Sequence, residues 1–301
     1  MILKFLWRKR DGVPKMNNVY RNYDQEELDT QYRASATVPN MQDFISDYAS
    51  LSEIARNTLD CKIGLKYGPG GEETLDLFPV TGSKDTPLFI FIHGGYWRML
   101  SKTDSSFMAP NLVAHGIAVA AINYTLVPPA NIDQIVAECR RAIQWLYQNA
   151  TSYGIDKDRF YVGGSSAGGH LTGMMVAGGW QEEYGLSADV IKGGLPMSGL
   201  FDMEPVVKCF VNEWMQMSMA DGMRNSPMQN LPAIGCPLVV AVGGEETDEF
   251  RRQSKDFSER WISQGWPSDY IECQGINHFN APLELCKSSS LLTQKLIEMI
   301  G

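Results

Sequence analysis

Short uninterrupted apolar runs alternate along the chain with longer stretches in which apolar positions recur every three or four residues. PLFIFI (87–92) and IAVAAI (117–122) are continuous and rich in β-forming residues, the pattern of strands buried on both faces. FYVGG (160–164), VIKGGLPMSG (190–199), PLVVAVGG (237–244) and SDYIECQG (268–275) predict further strands. Between them, NIDQIVAECRRAIQWLYQN predicts a helix with Ile132, Ile135, Val136, Cys139, Ile143 and Leu146 on one face, opened by the capping pair Asn131 and Gln134. EFRRQSKDFSERWISQG predicts another, with Phe250, Phe257, Trp261 and Ile262 on an apolar stripe and a stop at Gly265. A last helix, around 289–300, carries Leu292, Leu296 and Ile300.

Strands alternating with helices imply an α/β fold, a mostly parallel sheet covered on both sides. CKIGLKYG and ETLDLFPV, joined by a Gly-rich turn, predict an antiparallel hairpin leading into it. Two regions break the alternation: residues 17–60 are polar and helical, and 203–232 are Met-rich and irregular. Both suit a small helical cap over one end of the sheet. The expected organisation is a single domain over 17–301, preceded by a disordered extension over 1–16.

Composition narrows the partners. A hydrophobic fraction of 44% with 20% charged residues is that of a soluble globular protein, and a net charge of −9 argues against nucleic acid or an anionic membrane as partner. Six cysteines with no C-x-x-C pair predict reduced thiols and no zinc site. The N-terminal MILKFLWRKR places its apolar run before its basic residues, the reverse of a signal peptide, and no stretch reaches the ~18 apolar residues of a membrane helix. A cytoplasmic location is expected. A homodimer is compatible with the sequence, which does not fix the oligomeric state.

Chemistry enters at GGSSAGG, where a predicted strand gives way to a predicted helix at 167–178. Read as G-x-S-x-G, the match is Gly164-Ser165-Ser166-Ala167-Gly168, which centres Ser166; centring Ser165 would require glycine at 167, where alanine stands. A serine on a tight strand-to-helix turn needs neighbours two residues away that lack side chains. A phosphate loop would need the lysine of G-x-x-x-x-G-K-[ST], which is missing. Directly after the first buried strand stands His93-Gly94-Gly95-Tyr96-Trp97. Stabilising a tetrahedral oxyanion takes two or three converging N–H donors, and Gly95, Tyr96 and Ala167 are the expected ones. His93 is read as a brace for this loop, and Trp97 and Ser165 as candidate substrate contacts.

Of four histidines, His115 follows a helix-like segment and His170 lies in the helix after the serine, which leaves His278, on a loop after the last strand, as general base. The acid that orients it has several candidates: Glu245, Glu246, Asp248 and Glu249 after one strand, and Asp202 one strand earlier.

The HGG-x-W loop, G-x-S-x-G, INYTLVP and NHF, together with YDQEELDTQY, SGLFDMEP and EFRRQS, resemble the α/β-hydrolase superfamily, and within it the arylformamidase (kynurenine formamidase) and small carboxylesterase branch. The resemblance runs from about residue 20 to the C-terminus. It implies an oxyanion hole at Gly95 and Tyr96 and a catalytic acid four residues before Phe250, at Glu246. The formamidases usually carry aspartate there, and the glutamate mildly favours the esterase side. The expected function is a serine hydrolase of small to medium acyl esters, using Ser166, His278 and Glu246 through an acyl-enzyme, with no cofactor or metal. The alternative is an arylformamidase acting on N-formylkynurenine. A non-catalytic binding protein is the third reading; the intact serine, histidine and oxyanion loop speak against it.

Overall fold

Among the described residues, eight strands form one sheet: β1 (Lys62–Lys66), β2 (Thr74–Phe78), β3 (Thr86–Ile92), β4 (Ala118–Ile122), β5 (Ile155–Ser165), β6 (Ile191–Met197), β7 (Leu238–Gly243) and β8 (Ser268–Cys273). The computed structural model describes residues 17–301, so the extension expected over 1–16 lies outside the described residues. The strand order is β1-β2-β4-β3-β5-β6-β7-β8. β2 runs antiparallel to both β1 and β4, which is the predicted hairpin, and all other pairings are parallel.

Among the described residues, ten α-helices accompany the sheet: α1 (Gln25–Tyr32), α2 (Met41–Thr58), α3 (Ala109–Ala114), α4 (Ile132–Asn149), α5 (Ala167–Val176), α6 (Glu204–Lys208), α7 (Asn212–Met215), α8 (Met219–Arg224), α9 (Asp248–Ile262) and α10 (Leu291–Ile300). The Asn131–Gln134 capping box at the start of α4 is present in full. β3 is apolar at nearly every position because successive side chains enter two different cores. Leu88, Ile90 and Ile92 join the core that holds α4, α5 and α9, whereas Phe89 and Phe91 join the one that holds Tyr48 of α2, Leu112 of α3 and Leu296 of α10. Each such side chain contributes about 1.5–3 kcal/mol through burial. The central strands are thereby anchored on both faces.

Two boundaries and one side chain differ from expectation. β5 begins at Ile155, ahead of its apolar stretch, because Ile155 pairs with Thr86 across a register shift. α5 stops at Val176. Ile262 is 52% exposed, since it is the last residue of α9 and lies about 100° around the helix from the buried Trp261.

Candidate active site

Ser166 stands between the end of β5 and the start of α5 with φ 60° and ψ −120°, a conformation costly for any residue with a Cβ. The surrounding backbone enforces it: the Ser166 amide donates to Met197 O at 2.9 Å, and the His170 amide donates to Ser166 O at 3.0 Å. The flanking glycines are sterically required. A Cβ on Gly164 would lie 2.5 Å from both Ile92 O and Gly168 O, and one on Gly168 would lie 2.0 Å from Ile92 O. The side-chain-free neighbours read from the sequence thus leave room for β3 to pass behind the serine.

The loop after β3 meets this turn. A Cβ on Gly94 would fall 2.7 Å from Ser165 O and 3.3 Å from Ser166 Cβ. Gly95 (φ 95°) and Tyr96 (φ 49°) are left-handed, and Gly95 O accepts from the amides of Arg98 and Met99. Among the described residues, the Gly95 and Tyr96 amides meet no acceptor. His93 is a brace, as expected: its Nδ1 bonds Gly94 O at 2.9 Å, its ring stacks on Tyr124 at 4.1 Å, and Tyr124 Oη donates to His93 O. Burial lowers the His93 pKa to about 4. Trp97 corrects the reading of a substrate contact. It is fully buried, edge-on to His170 at 5.1 Å, and does not line the cavity. The successive left-handed residues 96 and 97 send their side chains apart, Tyr96 to the cavity and Trp97 to the core.

His278 is buried between Phe250 and Phe279, with ring centroids at 4.6 and 5.3 Å. Its Nδ1 lies 2.6 Å from Glu246 Oε2; the carboxylate can only accept, so Nδ1 carries the proton and Nε2 is left as the basic nitrogen. The other Glu246 oxygen accepts from the Gly243 amide at 2.7 Å and from Ser198 Oγ at 2.5 Å. Among the five acids left open by the residues alone, this one faces the histidine. Asp202 accepts from Tyr20 Oη and the Glu204 amide, Asp248 pairs with Arg251, and Glu249 with Arg252. His115 caps α3, and His170 is buried with Nε2 on Asn225 O at 2.7 Å.

A cavity of about 150 Å³ joins Ser166, Ser165, His278 and the Gly94–Tyr96 loop. Its walls carry several aromatic rings, among them Tyr32, Tyr48, Phe91, Phe107, Phe210 and Phe279. Arg33, from the end of α1, also lines it and stacks on Phe210 at 4.2 Å. Tyr32 ends YDQEELDTQY, Phe91 lies in PLFIFI and Phe279 in NHF, whereas Tyr48, Phe107 and Phe210 come from segments with no sequence motif, of which Tyr48 and Phe210 fall in the two regions expected to form a cap. Among the described residues no group of three or more His, Cys, Asp or Glu side chains is placed to hold a metal, no helix is long and apolar enough to cross a membrane, and the six cysteines are unpaired.

Known proteins match this arrangement. The BD-FAE family model matches residues 75–214. The kynurenine formamidase of Salmo salar is 33% identical, covering 94% of this chain and 98% of its own, and that of Danio rerio is 32% identical with the same coverage. The esterase from Pyrobaculum calidifontis superposes with a TM-score of 0.70 over 92% of this chain and 96% of its own, at 16% identity. The strained serine, the paired histidine and the near-complete alignment agree: this chain belongs to the kynurenine formamidase family of α/β-hydrolases and is a hydrolase of ester or amide bonds.

Proposed function

We propose that the protein hydrolyses an N-formyl aromatic amine, with N-formylkynurenine as substrate, through a Ser166–His278–Glu246 triad. His278 Nε2 takes the proton of Ser166 as its oxygen attacks the formyl carbon, and Glu246 holds the imidazolium that forms. The amides of Gly95, Tyr96 and Ala167 receive the developing oxyanion, helped at Ala167 by the start of α5. His278 then protonates the departing aromatic amine, and a water repeats the sequence on the formyl-enzyme.

The observation that carries the substrate is the cavity. Its aromatic walls suit an aryl group, and Arg33, which has no acidic partner among the described residues, offers a cation for the carboxylate that N-formylkynurenine carries. The near full-length likeness to proteins named kynurenine formamidase supports the same choice. Glu246, first taken to favour an esterase, loses that weight, because the longer acid sits within a normal hydrogen bond of His278. Simple acyl esters remain the second reading, since the chamber is largely apolar and an ester passes through the same tetrahedral state. Residues 17–60 and 203–232 act as the cap in this reading, supported by the wall residues Tyr32, Arg33, Tyr48 and Phe210. Six unpaired thiols suit the reducing cytoplasm.

Turnover of N-formylkynurenine beside p-nitrophenyl acetate and butyrate tests the proposal. The formamide is expected to have the highest kcat/KM, Ser166→Ala to lose at least ~10³-fold, and Ser165→Ala to retain activity. Preference for the esters would make the protein a carboxylesterase. Wild type and Ser166→Ala indistinguishable on all three would revive the binding-protein reading.

A further inference from the structure

Ser198 follows β6 and opens the SGLFDMEP segment, which assigned it no role, yet it is fully buried with its backbone left-handed at φ 48°. Its amide donates to Ala241 O at 2.8 Å, tying it to β7. Its hydroxyl donates to Glu246 Oε1 at 2.5 Å. A residue with a Cβ is disfavoured in this conformation, and glycine would hold it without strain. A serine that keeps the strain and spends its hydroxyl on the acid has a use beyond turning the chain.

The geometry around Glu246 defines that use. The glutamate has one more rotatable bond than the aspartate usual in this family, so more must be fixed to hold its carboxylate against His278. One oxygen is given to the imidazole at 2.6 Å. The other is pinned from two directions, by the amide of Gly243, the last residue of β7, and by Ser198 from the neighbouring strand end. The Gly243 bond is local, three residues away in sequence, and ties the carboxylate to its own strand. Ser198 is the contact that ties the carboxylate across to the end of β6, and therefore to the Ser166 turn, whose amide is bonded to the adjacent Met197 carbonyl. A hydroxyl facing a carboxylate can only donate.

We infer that Ser198 is a positioning residue: its hydroxyl locks the Glu246 carboxylate in the orientation that holds His278 ready to take the Ser166 proton. The inference rests on the triad proposed above, and the test separates the two.

Ser198→Gly removes the hydroxyl while accepting the backbone conformation, so folding is not at stake. The expected result is a melting temperature unchanged or raised, with kcat lowered about tenfold or more and KM within twofold. Labelling of Ser166 by a fluorophosphonate should slow by a similar factor, a readout that does not depend on the natural substrate. The far-downfield proton resonance of the His278 Nδ1–H should broaden or move. Combined with Glu246→Gln, Ser198→Gly should cost nothing further, because both act through one carboxylate. Ser198→Gly with wild-type kcat and labelling rate, while Glu246→Gln loses both, would overturn the role of Ser198 and leave the triad standing. Glu246→Gln at wild-type rates would remove the triad reading itself, and the inference with it.

Discussion

Among the described residues, Arg33 is the only guanidinium or ammonium lining the cavity, where it stacks on Phe210. Replacing it with glutamine keeps length and polarity but removes the charge. Arg33→Gln is expected to lower kcat/KM for N-formylkynurenine about tenfold, roughly 1.4 kcal/mol, through KM, and to leave p-nitrophenyl acetate unaffected. Steady-state kinetics on the two substrates decides the point, and an equal effect on both would mean that Arg33 only shapes the wall. Nothing in the sequence marked Arg33, which lies in a polar helical stretch. Ser166 was legible because its requirement is local: glycines two residues away on each side, each with a carbonyl within 2.5 Å of where its Cβ would stand.

At the scale of elements, α1 ties the acid loop to the oxyanion loop. Its C-terminal turn takes Thr247 Oγ1 on Gln31 O at 2.5 Å and the Glu249 amide on Gln31 Oε1 at 3.1 Å. Tyr32 Oη donates to Glu249 at 2.9 Å and accepts from Gln253 at 2.7 Å, while Tyr32 O receives the Tyr96 hydroxyl. One short helix, N-capped by Asp24, thus holds Tyr96 and the residues just after Glu246 in one frame. Tyr32→Phe keeps the ring in the cavity wall and removes a buried hydroxyl. Glu249 keeps Arg252 and Gln253 keeps Asp202 O, so the loss should be about 1–2 kcal/mol of unfolding free energy, with KM unchanged. Urea denaturation measures it, and a variant as stable as wild type would show that the α1 contact is not holding the cap. The sequence showed that residues 17–60 are helical. Which loops they would join depended on partners distant in the chain, 64 residues away for Tyr96 and more than 200 for the acid loop.

Across the whole molecule, two of the buried histidines, His93 and His170, link stability to pH. Burial lowers both His93 and His170 from 6.5 to about 4. His170 donates from Nε2 to Asn225 O, and its Nδ1 is buried with no partner among the described residues, so a second proton there would find no acceptor among them. In the unfolded chain both rings protonate near pH 6.5. Between about pH 6.5 and 4 the unfolded state therefore binds more protons; stability is whole above that window and is lost as pH falls through it, by on the order of 3 kcal/mol for each ring. The urea midpoint is expected to hold steady from pH 8 to 7 and to fall below pH 6.5, with a shallower fall in His170→Gln. A midpoint flat to pH 4.5 would contradict this account. Because His170 lies on α5, acid is expected to loosen the helix that fixes the Ser166 turn.

The sequence by itself determined the alternation of strands and helices, the Ser166 turn, the Gly-rich loop after β3 and His278. Each of these rests on periodicity or on steric demands within a few contiguous residues, which a sequence displays directly. The acid was different: the residues alone left five carboxylates open, family resemblance pointed to Glu246, and only the fold shows that it is the one facing His278. Tertiary structure also decided that Trp97 fills the core, that α1, α2 and Phe210 supply the cavity walls, and that Ser198 braces the acid. These are contacts between strand ends and helices far apart in the chain. Their partners are set by how the mostly parallel sheet brings loops together at the C-terminal ends of its strands, and no local pattern carries that information.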